Sequence, residues 1–306
     1  MRIKAVLNPK QSQMKKLIVG CGYLGRRVAS VWLDQGHDVV AVTRSKERSR
    51  EFAAKGISPI IADVTQPESL GNLPRDADTV LFAVGYDRSA GPSQRDVYVT
   101  GLENVLKRIA NIAGHFIQIS STSVYGKSDG GQVDETTPCE PVTDSGKVCL
   151  EAEQTVWRYF PDSQGGRKSR ANVLRLSGIY GPGRLLRRVD QLTSGEPLSG
   201  NPEAMLNLVH VDDAVTAVLA CEERGQSGET YLISDDRPIS RRDYYALLAR
   251  LVGAPPPVFV DSPKETGRTP GRNKVCVNRR MHDQLHVQLK YPSINEGLKH
   301  AVLASH

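Results

Sequence analysis

No stretch of this sequence approaches the roughly 18 consecutive apolar residues of a membrane-spanning helix. The opening segment MRIKAVLNPKQSQ also lacks an apolar core, so neither a membrane span nor a targeting signal is expected. Cysteine is sparse: Cys21, Cys139, Cys149, Cys221 and Cys276 form an odd set of five without CxxC spacing. That argues against a disulfide framework or a structural zinc site and favours a reducing, cytoplasmic setting. Blocks of like charge are missing too. The 40 Lys and Arg residues are scattered among 34 Asp and Glu for a formal net charge of +6, so nucleic acid is not an implied partner. Two short clusters, RSKERSR at 44–50 and RLLRR at 184–188, can hold an anionic ligand or lie as solvated helix faces. Internal repeats and low-complexity segments are absent.

What is present is an alternation. The runs KKLIVG, HDVVAVT, ISPIIADV, DTVLFAVG, HFIQISS and ANVLRLSG are apolar and rich in β-branched residues, as parallel strands buried on both faces should be. Between them lie amphipathic segments such as LGRRVASVWLDQG, with Val28, Val31 and Trp32 on one face and Gly36 as its stop. The pattern predicts an α/β protein with a Rossmann-type doubly wound parallel sheet over residues 14–176 and a smaller, mainly substrate-binding lobe over 177–306. Residues 1–13 are expected to be a flexible extension. In the second part, VHVDDAVTAVLACEER and SRRDYYALLARLVG read as helices, the latter capped by Ser240, and ETYLISDD as a strand. Ala254 to Lys274, rich in Pro and Gly, reads as a long surface loop. LKYPSINEGLKHAV reads as a Pro-started helix docked on the second lobe.

Directly after the first strand stands Gly20-Cys21-Gly22-Tyr23-Leu24-Gly25. Its context supplies what a dinucleotide needs. Gly20 permits a tight turn, Gly22 lets a pyrophosphate approach the backbone, and Gly25 allows close helix packing. The helix that follows offers N–H groups and partial positive charge to phosphate. Where an NAD-binding chain ends its second strand in Asp or Glu, this one has Thr43, Arg44, Ser45 and Lys46. A guanidinium and two hydroxyls suit a 2′-phosphate, so NADP(H) is expected over NAD(H). Asp63 and Val64 follow the third strand toward the adenine, and Ala83, Val84 and Gly85 follow the fourth along the path of the second ribose.

Several motifs together resemble the extended short-chain dehydrogenase/reductase superfamily, the NAD-dependent epimerase/dehydratase group. They are ISSTSVYG (Ile119 to Gly126), RLSGIYGPGR (Arg175 to Arg184) and VHVDDAV (Val209 to Val215), in the family's order over about residues 15–240. The resemblance implies an oxidoreductase or epimerase whose Ser121 polarises the substrate oxygen. It also implies a YxxxK pair on the next helix, the Tyr as acid/base and the Lys lowering its pKa, because a phenol with pKa near ~10 is a poor base at neutral pH. In PVTDSGKVCLEAEQ the tyrosine position holds Ser145 and the lysine position Cys149, and the shifted register that uses Lys147 puts Thr143 in the tyrosine's place.

Three readings follow. Tyr125 or Lys147 assists Ser121 in a rearranged site. Cys149 is a reactive thiol, or more simply a small buried hydrophobe. Or catalysis is lost and NADP(H) binding is kept in a redox-sensing or regulatory protein. GCGYLG and the missing tyrosine resemble the atypical, YeeZ-like members of the superfamily.

Around this site Ser177 is placed near the nicotinamide. Arg184 is a candidate for an anionic group of the substrate, and His210 a candidate substrate contact in a segment that the family places beside the cleft. His210 with Asp212 and Asp213 reads as helix capping and not as a metal site. The expected ligand is a small polar, sugar-nucleotide-like substrate, and the resemblance allows a homodimer through helices that flank the sheet.

Overall fold

The computed structural model describes residues 13–110, 114–161, 169–184, 186–260 and 273–304. All but the last residue of the expected extension, and residues 261–272 of the expected loop, lie outside these segments. Seven strands form the central sheet: β1 (Lys15–Val19), β2 (Asp38–Thr43), β3 (Ser58–Ile61), β4 (Thr79–Phe82), β5 (His115–Ser121), β6 (Arg170–Leu176) and β7 (Thr230–Ile233). They run parallel in the order β7-β6-β5-β4-β1-β2-β3. The order reverses between β1 and β4, and a doubly wound sheet opens its ligand crevice at that point. Six of these strands are the predicted apolar runs. The seventh, TYLI, lies in the part expected to form the second lobe, yet it pairs with β6 from Thr230↔Val173 to Ile233↔Leu176. Its apolar residues are buried on the sheet, so the chain returns to the sheet after residue 177.

On one face pack α1 (Gly25–Asp34), α6 (Val211–Arg224) and α8 (Arg279–Leu285), with Trp32, Val28, Val218, Cys221 and Met281 fully buried between them and the sheet. On the other face lie α3 (Gly101–Ile109) and α4 (Asp144–Tyr159), which bury Leu102, Leu106, Val156 and Phe116. The helix α2 (Lys46–Ala54) runs antiparallel to its strands beside β3, and Ser45 Oγ caps it by accepting the Arg48 N–H at 3.2 Å. A third apolar cluster joins α5 (Leu186–Thr193), α7 (Arg241–Val252) and α9 (Ile294–Leu303) into a cap around Tyr180, Tyr244, Leu248 and Leu298. Ser240 caps α7 as its position suggests. Helix α9 starts one step later than expected. Ser293 takes the cap and Pro292 stands before it, outside the first turn. Among the described residues no helix is long and apolar enough to cross a membrane.

Two buried ionic networks tie the layers together. At the N-terminal edge of the sheet, the fully buried Lys16 ammonium meets Glu222 of α6 and Thr79 of β4, while Trp32 Nε1 donates to Glu222 Oε2 at 2.7 Å. Beneath the opposite, C-terminal edge, Arg175 of β6 donates to both oxygens of Glu153 of α4 at 2.6–3.2 Å and to the Tyr125 hydroxyl at 2.8 Å. Ser120 of β5 donates to Glu153 Oε1 at 2.5 Å. Burial alone would lower the Arg175 pKa, but the hydrogen bonds and charge of Glu153 reverse this and hold it above its ordinary value.

Removing one partner of the second network strands the other charge. Arg175→Met is expected to cost about 3–5 kcal/mol and to lower the melting temperature by roughly 10 °C, measured by calorimetry; a change within a degree would show the pair to be energetically idle. A second prediction concerns acid. His115 is 2 % exposed, donates from Nε2 to Asn172 Oδ1 at 2.8 Å, and burial lowers its pKa to about 4. The unfolded chain takes up this proton first. The contribution of His115 is therefore fully present above its ordinary pKa of about 6.5 and is lost as pH falls toward about 4, by up to about 1.4 kcal/mol per pH unit. Urea unfolding of His115→Gln should show a flatter pH dependence than the parent across that window.

Candidate functional site

The turn after β1 forms the floor of the site. Gly20 has φ +94°, and a Cβ there would lie 2.4 Å from the Val84 backbone nitrogen, so neither the conformation nor the space admits a side chain. A Cβ on Gly25 would meet the Gly20 carbonyl oxygen at 2.8 Å, which lets α1 start directly against the strand. A Cβ on Gly22 would meet nothing within 4 Å. The space above Gly22 is open because it lies where two cavities join. No side chain caps the start of α1 and no acid occupies its first turn, so the positive end of the helix faces that opening. Cys21 and Leu24 are buried anchors of the loop, and burial pushes the Cys21 thiol up to about 11. Tyr23 donates from its hydroxyl to the Pro182 carbonyl at 3.0 Å, and its ring carries Arg27 at 4.2 Å and Arg184 at 4.8 Å.

The first cavity, about 270 Å³, runs from Gly20 and Gly22 past Val84 and Gly85 to Thr43, Arg44, Arg48, Asp63, Val64 and Asp87. Thr43 Oγ1 accepts the Ser45 N–H at 3.2 Å, and with the Ser45 cap this fixes the corner from which Arg44 projects, about half exposed. Its guanidinium stands 3.9 Å from Asp63 Oδ2, while Asp63 Oδ1 accepts from the N–H and hydroxyl of Thr65 at 2.8 and 2.7 Å. Arg48, one turn into α2, joins Arg44 here. Ser89 first, and then the charges of Arg44 and Arg48, hold the Asp87 carboxyl below the usual range. Arg48 and Asp87 were not singled out from the sequence, although Arg48 belongs to the basic cluster noted there.

The second cavity, about 460 Å³, shares Gly22, Val84 and Gly85 with the first and adds Ala83, Tyr98, Ser121, Ser145, Cys149 and Arg184. Ser121 stands at the end of β5, its Oγ accepting the Ser123 N–H at 3.1 Å. Ser145 accepts a hydrogen bond from Gln94 Nε2 at 2.9 Å. Cys149 is buried, and burial raises its thiol pKa, which describes a small packing group and not a reactive thiolate. A third cavity, about 570 Å³, opens beyond the second at Ser121, Ser123 and Ser145 and reaches Arg88, Ser177, Asn207 and Lys274.

Three expected residues are placed away from the second cavity. The ammonium of Lys147 pairs with Asp144 at 3.6 Å on the exposed side of α4, outside the lining of these cavities. Tyr125 is 1 % exposed, accepts at its hydroxyl from Arg175, and burial raises its pKa, so its phenol serves the buried network. His210 is fully buried as the cap of α6, its Nδ1 accepting the Asp212 N–H at 3.1 Å and its Nε2 facing His300 Nδ1 at 3.1 Å. It packs against Tyr180 and Tyr291 and not against the cleft. His210, Asp212 and His300 do bring three potential donor atoms within 4.8 Å, but the Asp212 N–H occupies His210 Nδ1. Two phenols line the second cavity, Tyr23, whose hydroxyl donates to the Pro182 carbonyl, and Tyr98, which the sequence reading did not consider. Tyr98 lies on a π-helical turn (Asp96–Thr100) leading into α3 and accepts the Tyr86 N–H at 3.1 Å.

Residues 17–234 match the NAD dependent epimerase/dehydratase family. The chain is similar to Protein YeeZ of Escherichia coli, 30% identical over 286 residues that cover 91% of this chain and 97% of the relative. It is also similar to the structure of a functionally unknown conserved protein from Silicibacter pomeroyi, with TM-score 0.75, 28% identity and 94% and 97% of the two chains covered. The fold is further shared with a UDP-glucuronic acid 4-epimerase from Bacillus cereus in complex with NAD, with TM-score 0.76 and 20% identity over 95% and 98% of the chains. Together with the glycine turn and the crevice above it, the match over 17–234 establishes that the chain belongs to the NAD-dependent epimerase/dehydratase family.

Proposed function

We propose that the protein is an NADP(H)-dependent oxidoreductase of the atypical kind in its family, acting on a small polar substrate. The observation that carries this reading is the joined pair of cavities, open above Gly22, with Arg44 and Arg48 at one end and Ser121 at the other. The fold is that of proteins solved with NAD and sugar nucleotides, which supports a dinucleotide and a sugar-nucleotide-like substrate. The basic corner after β2 supports the 2′-phosphate. The free thiols of the described cysteines agree with a cytoplasmic location, and the family resemblance is the support for a homodimer.

When bound, the nicotinamide supplies hydride chemistry. In this reading Gly20, Gly22 and the start of α1 hold the diphosphate, Arg44 and Arg48 take the 2′-phosphate, and Ser121 polarises the substrate oxygen. Tyr98 takes the role of proton donor. The Tyr86 N–H fixes its oxygen and leaves its proton to be given away. Burial first, and then Cys149, raise its pKa, outweighing Tyr86 and Arg184, so the phenol stays protonated at neutral pH. A protonated phenol serves the reductive direction, in which an oxygen gains a proton.

A second reading is a non-catalytic NADP(H)-binding sensor or regulator, favoured by Ser145 and Cys149 where the family carries Tyr and Lys. Calorimetric titration decides the cofactor: NADPH should bind at least about tenfold more tightly than NADH, and Arg44→Ala should weaken NADPH alone by roughly tenfold to a hundredfold. Binding of neither nucleotide would end both readings. Tyr98→Phe separates them. On any substrate that the parent reduces, it should lower turnover by about 10²–10⁴-fold with NADPH affinity unchanged. If the parent reduces nothing and Ser145→Tyr with Cys149→Lys creates activity, the sensor reading stands.

A further inference from the structure

Gln118 sits at the middle of β5, 3 % exposed, and its amide oxygen has no hydrogen-bond partner among the described residues. Buried polar atoms are ordinarily paired, because an unmade hydrogen bond leaves the desolvation of the group uncompensated. The residue stands opposite Phe82, the last residue of β4, and opposite Val173 of β6, so it lies at the level where the crevice opens. Alternate side chains of a strand share a face. Gln118 therefore points the way of Phe116 and Ser120, toward α4, where Phe116 joins the core and Ser120 meets Glu153.

The second cavity reaches this amide, for its lining includes Gln118 together with Phe82, Tyr98, Ser145, Cys149 and Ala152. The last three follow one face of α4 at helical spacing, and all are small. Ser145 and Cys149 are shorter than the Tyr and Lys that the family carries there, so the helix leaves space open between itself and β5. An unpaired amide oxygen bordering that space calls for an N–H or O–H donor. A neutral donor suits it better than a cation, because Phe82 and Ala152 are apolar and the Glu153 carboxylate on this side of β5 is already met by Arg175. The order of the cavities says which molecule brings the donor. The second joins the first at Gly22, Val84 and Gly85, and Gln118 is not part of the third. The donor thus belongs to the part of a dinucleotide that passes Gly22, and not to a substrate group held farther out.

We infer that Gln118 is a cofactor-binding residue whose amide oxygen accepts a hydrogen bond from the nicotinamide half of the dinucleotide, given by a ribose hydroxyl or by the carboxamide N–H. This inference rests on the NADP(H) reading and adds to it a contact that neither the glycine turn nor the basic corner supplies. One consequence separates it from a structural role. Since the oxygen has no partner among the described residues, that oxygen contributes no hydrogen bond to the stability of the free chain.

The experiment is calorimetric titration of the full chain and of Gln118→Met with NADPH, with 2′-phospho-ADP-ribose, which lacks only the nicotinamide, and with 2′,5′-ADP, which lacks the whole nicotinamide half. Gln118→Met should weaken NADPH by roughly fivefold to fiftyfold and leave 2′,5′-ADP within about twofold of the parent. A matching loss for 2′-phospho-ADP-ribose assigns the donor to the ribose, and an unchanged affinity assigns it to the carboxamide. The melting temperature of the ligand-free variant should equal or exceed that of the parent, because an apolar group of similar shape replaces an unpaired buried amide. Equal affinity of parent and variant for NADPH, or an equal loss for NADPH and 2′,5′-ADP, would overturn the inference. Gln118→Leu repeats the test if Gln118→Met does not fold. Failure of both to fold, or a fall of several degrees in melting temperature, would assign the amide to the fold and overturn the inference too. If the parent binds neither NADPH nor 2′,5′-ADP, the cofactor reading itself is what fails.

Discussion

The buried Glu153–Arg175 pair is the constraint on which the cleft depends. Two ions removed from water at side-chain exposures of 2 % and 8 % are tolerated only when almost every lone pair and N–H finds a partner. Ser120 and Tyr125 complete the set. Because the four residues come from α4, β6, β5 and the turn after β5, satisfying one carboxylate fixes four segments at once. Ser120 is held from below, so its neighbour Ser121 is presented upward into the cavity. Helix α4 is held against the sheet in one rotational setting, and that setting decides which of its residues see the cleft.

That rotation explains the fate of the helix residues. Thr143 caps α4 by accepting the Gly146 N–H at 3.1 Å, which sets where the first turn begins. Positions four apart share a face, so Ser145 and Cys149 both look into the second cavity. Lys147, two residues on from Ser145, is turned away by roughly 200° and can only reach outward. A register that makes Lys147 the catalytic lysine would require a different cap and would break the alignment of Glu153 with Arg175. The helix therefore keeps the architecture that positions a Tyr and Lys pair while carrying neither.

Much of this was legible in the sequence, for reasons that are local. Strands buried on both faces announce themselves as β-branched runs, and the glycine turn is dictated by contacts within a few residues of Gly20. The basic corner at Arg44 follows directly from the end of β2. What was not legible depends on contacts between distant segments. Nothing near VYG says that the Tyr125 phenol will face Arg175, fifty positions on. Nothing in VHVDDAV says that the cap contributed by His210 will be sealed by Tyr291, just before the last helix, and by His300 within it. Lys274 lies at the end of a segment that reads as a long surface loop, and the pairing of Val275–Cys276 with Gln132–Val133 helps to bring it into the wall of the third cavity. Tyr98 was hidden for another reason. In a regular helical pattern it looks like one more partly buried aromatic.

The π-helical turn is what separates Tyr98 from that pattern. Val97 and Val99 are both buried, and Gly101 lies so close to β3's continuation that a Cβ would stand 2.6 Å from Val64 Cγ2. A helix that must bury alternate residues and also approach this closely cannot keep a 3.6-residue period through the segment. The wider turn absorbs the misfit, and such turns recur at functional sites. Here it carries Tyr98, which lines the second cavity together with Ser145 and Cys149. The dinucleotide cradle is built from backbone and from packing that spans the sheet, so it leaves little room for change. Proton chemistry needs only one hydroxyl within reach of the reacting oxygen, and several surrounding segments can supply it. In the proposed reading the phenol therefore comes from the turn before α3 and not from α4, and the cradle is unaffected by that choice.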